Sequence, residues 1–274
     1  MTSFTLGQHY LKSALFLAHA SYAAYEDNPE TYEAFQKFHF DNLIPFSSDP
    51  KKDGEATRGF LAERKDAIVL AFRGTDGVNL QDWAINLNIK QVLDNGAYVH
   101  EGFALALASV WDKISVQLQK MVAQNKRKIW ITGHSLGGAL ATLATRRLLN
   151  MNIGQIETYT FGQPRVGDKT MCQQITSTFY RFAYASDPVV FVPFKVPKTM
   201  SYTHVGMLKQ IDAIGCIHED ASNFISRIVA ASYSVKKIIN EFLANDPKTF
   251  VFKRIKDHLM PNYVEKIAQV IKNG

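Results

Sequence analysis

The sequence reads as an α/β fold with a mainly parallel central sheet and helices on both faces. Three observations predict it. Ala67-Ile68-Val69-Leu70-Ala71-Phe72 is an unbroken apolar run, as expected of a strand that helices cover on both sides. Ile129-Trp130-Ile131 is short and β-prone, and from Leu136 the apolar spacing Leu136, Leu140, Leu143, Leu148 turns helical, so a strand runs straight into a helix at Ser135. Beyond that helix, Ile156–Phe161 and Tyr180–Ala185 read as two more strands, with a helix opening between them.

With 274 residues and no evident linker or repeat, the chain is read as one domain over 1–274, large enough to bury a core without staples. Hydrophobic residues make up 46% and charged residues 20%, and no apolar run is long enough to cross a bilayer. The net charge of +6 lies mostly in residues 195–274. It reads as a solvated face, with attraction to an anionic lipid surface as the functional alternative. No nucleic-acid-binding signature accompanies it. Cys172 and Cys216 are too few for a disulfide framework and are expected as free thiols.

In chain order, Leu11, Leu15, Ala18 and Tyr22 mark one face of a first helix. The same stretch has the length of a signal-peptide core, but His19 interrupts it and no basic cluster opens the chain, so a helix of the fold is expected. Localisation is then either cytoplasmic or by export without a cleaved signal. Asn28-Pro29 and the Pro45 to Gly54 region read as loops. Thr57 to Glu63 and Ala67 to Arg73 read as strands joined at Arg64-Lys65-Asp66, the second emptying into Arg73-Gly74-Thr75-Asp76-Gly77. Val78 to Val99 shows no clean period and fits either a mobile apolar cover or core. A helix follows His100-Glu101-Gly102-Phe103, with Leu107, Val110, Trp111, Ile114, Leu118, Met121 and Val122 as its buried stripe.

Gly133-His134-Ser135-Leu136-Gly137 fits the Gly-x-Ser-x-Gly nucleophile elbow. A serine in so sharp a turn needs neighbours without a Cβ, and Gly133, Gly137 and Gly138 meet that need. Ser135 is therefore the candidate nucleophile, presented at a helix N-terminus where negative charge is favoured. Attack on an ester carbonyl makes an oxyanion that needs N–H or O–H donors. Leu136 would supply one through its backbone, and Thr75 one from its backbone and one from its hydroxyl.

The acid and the base should follow the serine in that order. Asp187, just past a strand in Ser186-Asp187-Pro188, fits; Asp168, Asp212 and Asp220 come in the right order but follow no comparable strand. For the base, His204, His218 and His258 all remain, because reach decides and order cannot. Asp257-His258-Leu259-Met260-Pro261 lies before a closing helix. Between them Phe224, Ile228, Ala231, Val235, Ile238 and Phe242 mark another helix, read as packing on the sheet, with a cap or a membrane-facing element as the alternative.

Together these motifs resemble the fungal-type, class 3 lipase family of α/β-hydrolases. The segments that carry the likeness are Ala71 to Thr75, Val99 to Phe103, Thr132 to Gly138, Phe161 to Gly167 and Asp187 to Pro193. The resemblance implies the α/β-hydrolase fold, a triad of Ser135, Asp187 and His258, an oxyanion hole of Thr75 and Leu136, and a lid over Asp76 to Leu87. It selects His258 over His204, whose segment in the family follows the acid without being the base. Asn86 stands where the family commonly has an aspartate that orients the oxyanion hydroxyl. The stretch at about 206–256 matches no motif and reads as a helical cap or insertion. The expected activity is hydrolysis of carboxylic esters of acyl lipids through an acyl-serine, without cofactor or metal, with a lipid or ester as partner and peripheral contact with a lipid surface. An esterase or acyltransferase on small soluble or phospholipid esters, and an inactive lipid-binding scaffold, are the alternatives.

Overall fold

The computed structural model describes residues 10–25, 40, 42–49, 56–75, 87–184, 187–193, 201–212, 215–219 and 255–273. Its strands are β1 (Asn42–Ser47), β2 (Arg58–Glu63), β3 (Ala67–Phe72), β4 (Gln91–Asp94), β5 (Ala97–His100), β6 (Lys128–His134), β7 (Ile156–Phe161), β8 (Thr178–Tyr184), β9 (Met207–Ile211) and β10 (Ile217–His218). Its α-helices are α1 (Tyr10–Ala23), α2 (Glu101–Gln124), α3 (Leu136–Met151), α4 (Lys169–Gln174) and α5 (Met260–Asn273). Eight strands form one sheet in the order β1-β2-β3-β6-β7-β8-β9-β10. The five from β3 to β9 in that order run parallel, and antiparallel pairs flank them at both ends.

Alternation along each central strand splits the core into two layers. Ile68, Leu70 and Phe72 of β3, with Ile129 and Ile131 of β6, pack against α2 and α3. Val69 and Ala71, with Trp130 of β6 and Tyr159 and Phe161 of β7, pack against α1 and α5. All of these are nearly inaccessible to solvent, and each buried Leu, Ile or Phe contributes roughly 1.5–3 kcal/mol. The first helix is part of this second layer: Ala14, Leu17 and Ala18 are wholly buried. Among the described residues no helix is long and apolar enough to cross a membrane.

Three readings of the sequence are corrected. Pro45 stands inside strand β1, opposite Phe60, rather than in a loop. An edge strand tolerates proline because part of its backbone has no partner to lose. The end of the aperiodic Val78 to Val99 stretch is a hairpin, β4–β5, turning at Asn95 (φ 47°) and Gly96 (φ 75°). Asn-Gly between short strands is the signal for that turn, and the exposed Leu93 and Tyr98 hide it from a search for buried periodicity. Arg146 of α3, fully buried, pairs with Asp94 and ties the hairpin down. Asp212 does follow a strand, β9, because residues 207–211 and 217–218 extend the central sheet. The rest of the expected cap, 220–254, and the lid segment 76–86 lie outside the described residues.

Candidate active site

Ser135 stands between β6 and α3 with φ 58° and ψ −127°, a backbone conformation that costs a residue with a side chain about 1–3 kcal/mol. The surroundings hold it there. A Cβ on Gly133 would lie 2.2 Å from the Gly137 carbonyl oxygen, and one on Gly137 would lie 2.4 Å from that of Phe72. Backbone therefore meets backbone where the elbow, the helix and the end of β3 converge. The Ser135 N–H donates to the Phe161 carbonyl at 3.0 Å, which fixes the turn to β7. Leu136 heads α3, so its N–H is among those a helix start leaves without an intrahelical partner.

The loop after β3 lies against the same elbow, since a Cβ on Gly74 would approach the His134 carbonyl oxygen to 2.6 Å. Thr75 comes next and is 2% exposed. Asp187 follows the end of β8, and its N–H donates to the Tyr184 carbonyl at 2.9 Å. His258 closes the 3-10 turn Ile255–His258, directly before α5. Its Nδ1 is 2.7 Å from Asp187 Oδ2, and both side chains are inaccessible to solvent. An ionised carboxylate only accepts, so Nδ1 carries the proton and Nε2 presents a lone pair. Asp187 also accepts from the Val189 N–H at 2.8 Å and from the Tyr263 hydroxyl at 2.5 Å. Burial, then the neighbouring Asp187, raises the Tyr263 phenol well above its usual range, so it remains a donor.

Ser135 Oγ, Thr75 Oγ1 and His258 Nε2 are buried without a hydrogen-bond partner. Buried polar atoms are nearly always paired, and an unpaired one costs about 1–3 kcal/mol. That these three lie on adjoining segments is what a reaction site needs: groups held back from the fold and left for a ligand.

The competing candidates are engaged elsewhere. Asp168 caps α4, accepting from the Met171 N–H at 2.7 Å. Asp212 pairs with His218 at 2.9 Å and accepts from the Cys216 N–H within the β9–β10 turn. His204 Nε2 donates to the Val190 carbonyl at 2.8 Å. Asp220 and Asn86 lie outside the described residues. Cys172 and Cys216 are free. Among the described residues no group of three or more His, Cys, Asp or Glu could hold a metal.

Two contributors went unread in the sequence. Tyr263 shares the 3/4 spacing of Met260 and Ile267 and so looks like plain core; only the fold brings its hydroxyl to Asp187. Gly162, at φ 57°, lies under the pair, where a Cβ would sit 2.6 Å from His258 Cε1 and 2.8 Å from Asp187 Oδ2.

Known proteins of similar sequence and structure bear on the family and the fold. Residues 69–196 match the family described as lipase (class 3). The chain is 33% identical over 157 residues to a secreted mono- and diacylglycerol lipase of Penicillium cyclopium, covering 54% of this chain and 50% of that one. It is 27% identical over 244 residues to a triacylglycerol lipase of Arabidopsis thaliana, covering 69% and 47%. The chain thus spans about half the length of these curated relatives. Its structure is similar to that of the mono- and diacylglycerol lipase from Aspergillus oryzae, with a TM-score of 0.63 at 28% identity over 75% of this chain and 81% of that one. The α/β-hydrolase fold is therefore the fold of this chain, and its residues 69–196, Ser135 among them, belong to the class 3 lipase family.

Proposed function

We propose that this protein hydrolyses carboxylic esters of acyl lipids through an acyl-serine intermediate. The observation that carries the reading is the set of three buried, unpartnered atoms: Ser135 Oγ, His258 Nε2 and Thr75 Oγ1. In that reaction His258 Nε2 takes the Ser135 proton as Oγ attacks the ester carbonyl carbon. Asp187, holding Nδ1–H, stabilises the imidazolium that forms. The carbonyl oxygen becomes an oxyanion that accepts from the Leu136 N–H and from the Thr75 N–H and hydroxyl, at about 3–4 kcal/mol of transition-state stabilisation per donor. Collapse breaks the ester C–O bond, His258 returns the proton to the leaving alkoxide, and the acyl group stays on Ser135. A water, deprotonated by His258, then releases the fatty acid and restores the serine.

An acyl glycerolipid as substrate is supported by the relatives' names, and peripheral contact with its surface is part of the same proposal. Phe191 and Leu259, both large, apolar and exposed, flank Asp187 and His258 in the chain and fit that contact.

The test is a panel of p-nitrophenyl esters, mono- to triacylglycerols and phospholipids, with Ser135→Ala as the blank. Turnover in the wild type and a loss of about 10³-fold or more in Ser135→Ala, at an unchanged melting temperature, is expected. Retained turnover in Ser135→Ala overturns the reading. Higher rates on monomeric than on emulsified ester move the substrate class to small soluble esters.

A further inference from the structure

His134, the variable residue of the elbow, is not one of the reacting groups, yet it is 2% exposed and both its ring nitrogens are engaged. Its Nε2 is 2.6 Å from the backbone oxygen of His258. Its Nδ1 is 2.7 Å from the hydroxyl of Tyr25, two residues beyond the end of α1. A carbonyl oxygen can only accept, so Nε2 carries the proton. Nδ1 is then a lone pair, and Tyr25 donates to it. The direction of each bond follows from one carbonyl.

The same phenol reaches a third segment. A Cβ on Gly74 would lie 2.1 Å from the Tyr25 hydroxyl oxygen, so only glycine admits it there, one residue before Thr75. One hydroxyl–imidazole pair therefore touches the end of α1, the Gly74-Thr75 loop and the backbone of His258. We infer that Tyr25 and His134 are positioning residues, a brace that hangs the base and the oxyanion donors from the first helix. The inference rests on the proposed ester hydrolysis and extends it to residues that touch no reacting atom.

The base needs such a brace because Asp187 alone leaves its height undetermined. Asp187 fixes the His258 ring through Nδ1, while rotation about its side-chain bonds still allows Nε2 to rise or fall with the backbone. Anchoring the His258 carbonyl removes that freedom, and a misplacement of about 1 Å is enough to cost roughly 100-fold in rate. The two imidazoles lie close, with centroids 4.4 Å apart. His134 must stay uncharged as His258 takes up the serine proton, and burial together with the adjacent His258 holds its pKa well below the ordinary histidine value.

The experiment compares His134→Phe, His134→Gln and Tyr25→Phe with the wild type. Each is measured for kcat and KM on a p-nitrophenyl ester, for the rate at which a fluorophosphonate labels Ser135, and for melting temperature. Phe fills the His134 site but donates nothing; Gln can set an amide N–H near the position of Nε2–H. His134→Phe should lower kcat and labelling by roughly 10-fold or more with KM within about two-fold, and His134→Gln should recover most of that loss. Tyr25→Phe, which keeps the ring, should lower kcat by roughly 3-fold or more. Folded Phe and Gln variants impaired alike, or a wild-type rate in His134→Phe, overturn the inference. If His134→Phe does not fold, Tyr25→Phe decides, and an unchanged kcat there overturns it. A wild type that the probe does not label instead sinks the ester-hydrolase reading, and the brace with it.

Discussion

Asp187 meets His258 at 2.7 Å, and Asp212 meets His218 at 2.9 Å. The second pair comes from residues six apart in one hairpin, with side chains 24% and 30% exposed for His218 and Asp212. The first joins residues 71 apart and has no exposure at all. Contact distance therefore does not set the proposed acid–base pair apart. What does is the surroundings: Tyr263 and Val189 add two further donors to Asp187, and His258 Nε2 stays buried and unpartnered, on a residue that packs against His134 of the elbow. Water screens the hairpin pair and makes it a turn fastening, worth about 0–1 kcal/mol.

The difference can be broken from either side. Asp187→Asn removes the acceptor that keeps the His258 proton on Nδ1, and kcat should fall about 10³–10⁴-fold, read with a p-nitrophenyl ester. Tyr263→Phe deletes one charge-assisted donor and leaves the ring, so kcat/KM should fall by roughly 5–30-fold, about 1–2 kcal/mol, with KM little changed. An unaltered rate in Tyr263→Phe would mean that its hydroxyl serves only the fold.

Acid should weaken the protein through buried His134. Its folded pKa lies well below the ordinary value of 6.5, so below pH 6.5 the unfolded chain binds more protons than the folded one. Its contribution is complete above about pH 6.5 and is lost as the pH falls, at up to about 1.4 kcal/mol per pH unit. His19 and His100, also lowered by burial, act with the same sign. Melting temperatures from pH 8 to pH 5 should fall on the acid side, and less steeply in His134→Gln. The smallest effect is expected of Asp212→Asn, where turnover should stay within about two-fold of wild type; a large loss there would mean that the hairpin pair takes part in the reaction.

Much of this was legible in the residues. The strand-to-helix switch at Ser135 could be read because glycine, apolar period and the candidate nucleophile all fall within one short segment. The strands Ala67–Phe72 and Ile156–Phe161 could be read because a doubly covered strand is apolar along its whole length. The β4–β5 hairpin was missed because its apolar side chains face outward in part, and β1 because proline at a sheet edge looks the same as proline in a loop.

The choice among His204, His218 and His258 had a different source. Family likeness selected His258, whereas composition and order left all three open. In the structure His258 lies against Asp187, and the other two histidines lie against Val190 and Asp212. By itself the sequence determined the central strands, their covering helices and the candidate nucleophile, since those depend on neighbours along the chain and on side-chain periodicity. Tertiary structure alone decided the partners of Asp187, the Gly162 contact and the Tyr25–His134–His258 chain of hydrogen bonds. The bonds of Asp187 to His258 and Tyr263, and those of His134 to Tyr25 and His258, join residues more than 70 positions apart, and their geometry exists only once both faces of the sheet are packed.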